Sequence, residues 1–342
     1  MRSVHIQIMK TSEFMQMLSH LIEAGVKPVI VKGIVCRDLY PVPDYRMSGD
    51  EDVLVPAEQF ALCDKALRVF GMTPVDVNAD GERDYEVPYG KPGSPIYIEL
   101  HKTLFPPESE AYGDLNRFFE KLHARRTEVT IQGTVIPTMA PTDHLFYLIC
   151  HAFKHFLHSG FGIRQVCDII LFANRYGSQV DWNYVLNCCR EIHAEYFAAA
   201  MFEIGRKYLT FDPQQAEYPK QWKDLDVDGT AMLEDLLEGG VYGDANMSRK
   251  HSSNMTLDAV SASKKGKQAH GSLMRMVFPT ARKIENKYSY LRKYPFLLPV
   301  AWVSRIGQYM AETRRIKGNT AADSIRIGRE RIDLMRKYRI IR

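Results

Sequence analysis

The stretch that decides the fold is residues 28–55, PVIVKGIVCRDLYPVPDYRMSGDEDVLV. A short apolar run, Val29–Val31, predicts a buried central strand that ends next to Gly33. A second strand is predicted further on, with acidic residues at its start. Side chains alternate along a strand, so Asp50 and Asp52 are expected on the same face, at most about 7 Å apart. The stretch therefore predicts two strands of one sheet, the first followed by a glycine and the second preceded by paired carboxylates.

Paired carboxylates and a glycine at a strand end together indicate metal and phosphate chemistry. Two like charges held close together raise each other's pKa, and a divalent cation between them reverses that effect. Carboxylate oxygens suit Mg²⁺, which completes its coordination shell with waters and substrate phosphates. A glycine at the start of a helix lets phosphate oxygens approach backbone N–H groups. The sequence thus favours a site for a metal ion and a phosphate, with Gly33 beside the phosphate.

The order strand, Lys-Gly, helix, turn and Arg-x-x-Gly-Asp-x-Asp-x-Leu-Val resembles the uncharacterised bacterial nucleotidyltransferases of the DNA polymerase β-like superfamily. In that superfamily a glycine opens the helix after the first strand, two acids lie on the second strand, and a third acid lies on a later strand. Gly33, Asp50 and Asp52 match the first two elements, and Glu99 is the best match to the third acid. The resemblance implies that Asp50, Asp52 and Glu99 hold Mg²⁺ or Mn²⁺ and that the substrate is a nucleoside triphosphate. Two positions depart from the pattern, Ile34 where Ser is frequent and Glu51 where an apolar residue is usual.

A later predicted strand, Ile96–Lys102, carries the third acid. Glu99 and His101 share one face of this strand, because side chains alternate. Glu99 is interpreted as the third metal ligand or as a general base, and the alternative is an ion pair with an Arg or Lys at the sheet edge. For His101 a half-exposed position on the strand is expected rather than a catalytic role.

Two basic residues near the acids have two interpretations each. Lys32 could reach the triphosphate or could neutralise a carboxylate, as a cation on a central strand must. Arg46 could bind phosphate or could brace Asp50 and Asp52 when no nucleotide is bound.

A predicted helix from Pro141 to about Leu157 marks the change from strands to helices. It carries a polar stripe at spacings of three and four, formed by His151, Lys154, His155 and His158, without the pattern of a zinc site. The superfamily resemblance matches His151, Lys154 and, on the next helix, Asp168. Lys154 is therefore a candidate phosphate contact, with a solvated lysine as the alternative.

The predicted fold class is α+β. Residues 1–140 are expected to form a small mixed β-sheet domain of the nucleotidyltransferase type with flanking helices. Residues 141–342 are expected to form a mainly α-helical domain with a basic C-terminal region and a mobile linker at about 239–271. The six cysteines show no C-x-x-C pair, which favours reduced thiols over zinc or disulfides. The absence of a long apolar run favours a cytoplasmic location.

The net charge of +4 conceals an asymmetry along the chain. Residues 263–342 carry 20 Lys and Arg against 5 Asp and Glu, a balance of +15, whereas residues 1–262 carry 25 against 36, a balance of −11. The basic region could bind nucleic acid, an anionic membrane or the acids of the body. Residues 288–309, YSYLRKYPFLLPVAWVSRIGQY, could lie on an anionic membrane or dock on the helical domain, and docking is the favoured interpretation.

Three functional hypotheses follow from the sequence. The first is a metal-dependent nucleotidyltransferase that transfers a nucleoside monophosphate to a hydroxyl or phosphate acceptor and releases pyrophosphate. The second is a catalytically silent protein that keeps the fold and binds an anionic partner, and the residues Ile34 and Glu51 motivate it. The third is an RNA-modifying transferase, for which the basic C-terminal region is the evidence.

Overall fold

The computed structural model describes residues 2–76, 84–240, 247–266, 278–284, 287–315 and 321–341. Within these residues the chain divides into two compact units. The first unit comprises residues 1–151, 165–192 and 201–226, and the second comprises residues 152–164, 193–200 and 227–342. Neither unit begins or ends at the predicted domain boundary between residues 140 and 141. That boundary stays a prediction.

The first unit is built around a mixed sheet, in which the described residues form seven strands in the order β3-β4-β5-β2-β1-β7-β6. The strands are β1 Val29–Val31, β2 Glu51–Leu54, β3 Thr73–Pro74, β4 Glu86–Gly90, β5 Tyr97–His101, β6 Thr127–Ile131 and β7 Thr134–Thr138. The pairs β1/β7 and β2/β5 are parallel, and the remaining neighbours are antiparallel. Helices flank this sheet, so the predicted α+β fold with a mixed sheet is confirmed.

The helices are α1 Arg2–Glu23, α2 Gly33–Arg37, α3 Phe60–Val69, α4 Pro141–His158, α5 Ile163–Tyr176, α6 Trp182–Glu191, α7 Glu195–Tyr208, α8 Lys220–Lys223, α9 Thr230–Gly239, α10 Met247–Lys264, α11 Ala281–Ile284, α12 Leu298–Arg315 and α13 Ala321–Lys337. Short 3₁₀ helices lie at Pro43–Tyr45, Ala57–Gln59, Gly113–Phe119, Leu122–Ala124, Gly177–Gln179, Ser289–Arg292 and Pro295–Leu297. None of the helices in the described part of the chain is long and apolar enough to cross a membrane.

The core of the first unit explains why β1 and β2 are central. Phe14 and Leu18 of α1 are fully buried in one cluster with Ile30 of β1, Val53 of β2 and Ile98 of β5. Burying side chains of this size stabilises the fold by about 1.5–3 kcal/mol each. The strands that carry the acidic residues are therefore held rigidly by their apolar neighbours.

The prediction of a mobile linker at residues 239–271 is wrong for residues 247–264, which form α10. Met255, Ala259 and Val260 are buried, and the first two, four residues apart, lie on one face of the helix. Gly328 of α13 has no side chain, and a Cβ there would lie 2.8 Å from the Met255 sulfur. A helix with few apolar residues is stabilised because those few pack closely against a second helix. Residues 241–246 and 267–271 of the predicted linker lie outside the described residues.

Candidate active site

The acidic residues of β2 and β5 lie side by side. The two strands pair in parallel, and Asp52 is the register partner of Glu99. On its other side Asp52 is the register partner of Val31 in β1. Asp52 is buried, while the Glu99 side chain remains 27% exposed. The sheet therefore places two carboxylates at one point, one enclosed and the other open to solvent.

The Asp52 carboxylate contacts two basic side chains. Its Oδ2 lies 2.9 Å from Lys32 Nζ, and its Oδ1 lies 3.1 Å from His101 Nε2. Burial alone would raise the pKa of Asp52, but the Lys32 charge and the His101 hydrogen bond hold it well below its usual range. Asp52 is therefore ionised, and its negative charge is paired with the two basic side chains.

His101 is enclosed by acids. Its Nε2 lies 3.7 Å from Glu99 Oε2, and its Nδ1 lies 3.5 Å from Glu86 Oε2 on β4. The expectation of a half-exposed histidine is wrong, because only 4% of His101 is exposed. Burial would lower the pKa of His101, but hydrogen bonds to Asp52 and Glu99 and the charges of Asp52 and Glu86 raise it to about 9. The imidazole is therefore protonated and acts as a second cation beside Asp52 near pH 7.

Three side chains of this site could hold a metal ion together. One potential ligand atom from each of Asp52, Glu99 and His101 lies within 4.8 Å of the other two. Asp50 directly precedes β2 and is half-buried, and its pKa is raised by burial and by the Asp52 and Glu99 charges. Carboxylate oxygens suit Mg²⁺ and Mn²⁺, and the His101 imidazole can join them only after its Nε2 has lost its proton. The donor set thus fits a divalent cation.

Glu51 lies at the start of α2, where the sequence predicts a phosphate. Its Oε2 accepts a hydrogen bond of 2.7 Å from the Ile34 N–H, and its Oε1 accepts one of 3.1 Å from Ser48 Oγ. The buried Arg37 guanidinium pairs with the same carboxylate. A Cβ at Gly33 would lie 1.9 Å from Glu51 Oε2, so the glycine makes room for this carboxylate. The role of Gly33 as a phosphate contact stays a prediction, and a phosphate bound to the Ile34 N–H would have to displace Glu51.

Lys32 is held in place by several contacts. It has a positive φ of 52°, unusual for a residue with a side chain. Its backbone N–H donates to His144 Nε2 at 3.3 Å, and its Nζ lies 2.9 Å from His151 Nε2. Of its two interpretations, the pairing with a carboxylate is the one seen, with Asp52. Binding of a triphosphate by Lys32 stays a prediction.

Arg46 binds Asp168 rather than the paired acids. Its Nε and Nη2 donate to the two carboxylate oxygens of Asp168 at 2.8 and 2.6 Å. The Tyr40 hydroxyl donates to the same carboxylate at 2.7 Å, and Arg46 Nη1 donates to the Gly33 carbonyl at 3.3 Å. The prediction that Arg46 braces Asp50 and Asp52 is therefore wrong. Phosphate binding by Arg46 stays a prediction.

Helix α4 contributes side chains to both units. Tyr147 and His151 belong to the first unit, and their rings lie 6.0 Å apart. Burial raises the pKa of the Tyr147 hydroxyl well above its usual range; the Lys32 charge opposes this shift and the Asp52 charge adds to it. The sequence analysis missed Tyr147, although its position four residues before His151 places it on the same helix face. Lys154 belongs to the second unit, and its contact with phosphate stays a prediction.

A comparison with protein families identifies the class to which this fold and site belong. A family model described as an uncharacterised nucleotidyltransferase matches residues 4–210, which include the sheet and every candidate site residue. The chain belongs to this family, and the resemblance seen in residues 28–55 is confirmed. None of the curated proteins compared with the chain matches it.

Proposed function

We propose that this protein is a metal-dependent nucleotidyltransferase, which transfers a nucleoside monophosphate from a nucleoside triphosphate to a hydroxyl or phosphate acceptor. The observation that carries the proposal is the register pairing of Asp52 with Glu99 beside His101, in a member of a nucleotidyltransferase family. In this proposal Asp50, Asp52 and Glu99 hold Mg²⁺ or Mn²⁺, and His101 is an additional candidate ligand. The bound ion supplies positive charge close to the phosphates.

The chain's own residues hold the cation site ready. Lys32 and His101 neutralise Asp52 in the described structure, at 2.9 and 3.1 Å, and keep a buried carboxylate ionised. A divalent cation held by Asp52 would repel the Lys32 ammonium and the protonated His101 ring, so we expect at least one of these contacts to lengthen. A released Lys32 ammonium can then turn to the triphosphate, which unites the two interpretations of this residue.

The reaction exchanges a phosphoanhydride bond of the triphosphate for a new bond between the α-phosphorus and the acceptor. The acceptor oxygen forms a bond to the α-phosphorus, the bond from the α-phosphorus to the bridging oxygen breaks, and pyrophosphate leaves with that electron pair. Glu99 is solvent-accessible, so a carboxylate oxygen of Glu99 that does not hold the ion can orient an acceptor hydroxyl or take its proton. Arg46 is proposed to contact the phosphates, which requires its pair with Asp168 to open.

The test measures binding and chemistry separately, since the acceptor is unknown. Binding of each nucleoside triphosphate with Mg²⁺ or Mn²⁺ is measured by calorimetry, and pyrophosphate release is measured in parallel. The double variant Asp50→Asn with Asp52→Asn should lose metal-dependent nucleotide binding while remaining folded. The control Asp38→Asn with Asp224→Asn removes the same charge from exposed positions and should bind as wild type. Unchanged nucleotide affinity in the first variant would contradict the assignment.

A second candidate function is that of a catalytically silent nucleotidyltransferase-fold protein that binds an anionic partner. The contact of Glu51 with the Ile34 N–H favours it, because this carboxylate takes the donor at the start of α2. This function predicts nucleotide or anion binding without pyrophosphate release under any combination of nucleotide and metal. Pyrophosphate release that depends on Asp52 would exclude it.

A further inference from the structure

The second unit carries a group of exposed apolar side chains, far along the chain from the acidic site. We call this group the apolar ridge; its members are Tyr294, Phe296, Val300, Val303 and Ile306, whose exposed fractions are 42%, 74%, 57%, 71% and 37%. Single exposed apolar residues are ordinary on a protein surface, but a contiguous group indicates an interaction site. The ridge lies beyond residues 4–210, which match the nucleotidyltransferase family.

The ridge is not needed for the local core beneath it. Ile284, Tyr288, Leu291 and Ala301 are buried together in a small cluster, with Trp302 packed against them. The sequence analysis favoured docking of residues 288–309 on the helical domain. The cluster seen here joins residues 284–302 to one another, so docking on the helical domain stays a prediction.

The outward face of the first turns of α12, up to Ile306, is apolar as well. Val300, Val303 and Ile306 recur every three residues, which places them on one face of the helix. Pro299 lies in the first turn of α12, where a missing N–H costs little. The rings of Tyr294 and Phe296, 6.0 Å apart, extend the apolar surface before the helix begins. In its first turns, up to Ile306, helix α12 therefore has one apolar face that packs inward and another that faces solvent.

Basic residues accompany the ridge. Lys287, Arg292 and Lys293 are exposed, and Lys293 Nζ lies 5.6 Å from the centre of the Tyr294 ring. Residues 287–311 contain no Asp or Glu in the sequence. The whole C-terminal region, residues 263–342, carries a net charge of +15. The segment thus combines exposed apolar side chains with an excess of basic residues.

We propose that the apolar ridge docks on an anionic lipid surface. Apolar side chains that enter the boundary between headgroups and acyl chains, next to Lys and Arg that attract acidic headgroups, are the features of interfacial binding segments. The ridge fits lipid better than nucleic acid, because Val300, Val303 and Ile306 have no ring to stack on a base and no group to bind its edge. The lack of acidic residues in this segment fits an anionic surface in particular.

The apolar contribution is tested with the full-length protein and vesicles. Vesicles of phosphatidylcholine alone are compared with vesicles that contain about 30 mol % phosphatidylglycerol, a composition that gives a negative surface. Wild type should sediment with the anionic vesicles only. The variant Val300→Ser with Val303→Ser should reduce the partition coefficient at least about tenfold, because it removes apolar surface that enters the membrane. The control Val69→Ser with Val75→Ser, at exposed fractions of 71% and 56%, should bind as wild type.

The electrostatic contribution is tested with charge reversals. Lys287→Glu with Lys293→Glu should weaken binding at least about tenfold, because each basic residue near an anionic surface contributes about 1 kcal/mol. Lys27→Glu with Lys65→Glu makes the same change in net charge at exposed positions in the first unit and should have a much smaller effect.

Four outcomes would overturn the proposal. The first is equal binding to both kinds of vesicle or to neither. The second is a variant Val300→Ser with Val303→Ser that binds vesicles as well as its control. The third is single-stranded RNA binding that this variant abolishes while vesicle binding is retained, which would assign the ridge to nucleic acid. The fourth is a dimer in light scattering that the same variant dissociates, with vesicle binding unchanged, which would assign the ridge to self-association.

Discussion

The substitution Gly33→Ala tests how the start of α2 is organised. The added Cβ would lie 1.9 Å from Glu51 Oε2, well inside the contact distance of carbon and oxygen. The Glu51 carboxylate would have to move away from the Ile34 N–H and from the buried Arg37 guanidinium. The substitution therefore acts on a buried ion pair and not only on the backbone.

The expected loss of stability has two parts. An alanine at the positive φ of Gly33, 33°, costs about 1–2 kcal/mol. Disturbing a buried ion pair so that one charge loses its partner costs about 3–5 kcal/mol. Glu51 can relax partly, so we expect a total loss of about 3–5 kcal/mol in the free energy of unfolding.

The assay is urea unfolding, followed by circular dichroism. Gly25→Ala is the matched control, because Gly25 has a positive φ of 84° and no atom lies within 4 Å of an added Cβ. It should cost only about 1–2 kcal/mol. If Gly33→Ala is no more destabilising than Gly25→Ala, then the Glu51 carboxylate does not occupy the start of α2 as described.

Three further predictions concern the cations around the site. Arg46→Lys should lower the free energy of unfolding by about 2–4 kcal/mol, because a lysine cannot bond both oxygens of the buried Asp168 carboxylate. Lys32→Met should tighten Mn²⁺ binding about tenfold in paramagnetic resonance titrations, because the ammonium at 2.9 Å no longer competes for Asp52. The pKa of His101 in the folded protein, about 9, exceeds the ordinary 6.5, so its stabilising contribution is complete below pH 6.5 and is lost as the pH rises through 9. In chelator-treated protein this amounts to up to about 3 kcal/mol between these pH values, and His101→Asn should flatten the pH profile.

Each of these predictions has a control or a contradicting result. Arg68→Lys changes a half-exposed pair with Asp64 and should cost less than about 1 kcal/mol. Mn²⁺ affinity that is unchanged or weaker in Lys32→Met would mean that Lys32 does not compete with the metal. Equal pH profiles for wild type and His101→Asn would show that the acids around this imidazole do not stabilise its charged form.

Local rules were sufficient to predict the strands that carry the acids. The apolar run Val29–Val31 and the alternation around Asp52 and Glu99 follow from the two-residue period of a strand. Strand alternation also places Glu51 and Asp52 on opposite faces of β2. Glu51 accepts the Ile34 N–H at the start of α2, and Asp52 pairs with Lys32. The family resemblance added the expectation that Glu99 joins Asp50 and Asp52, which no local rule contains.

Contacts between distant residues could not be predicted in this way. Arg46 and Asp168 are separated by 122 positions, and nothing near Arg46 indicates that its partner lies on α5. The burial of His101 depends on Glu86 and Tyr85, which the neighbouring strand brings beside it. These features arise from tertiary packing, which a single sequence does not encode in its local pattern.

The most direct test of the central claim is the position of a bound metal ion. Crystals grown with Mn²⁺ and a non-hydrolysable nucleoside triphosphate would be measured at a wavelength at which manganese scatters anomalously. We predict an anomalous peak within coordination distance of Asp52 and Glu99, about 2.0–2.2 Å from their oxygens, with the triphosphate bound to the same ion. A nucleotide bound elsewhere, or an ion that contacts neither carboxylate, would contradict the proposal that these acids form a nucleotidyltransferase site.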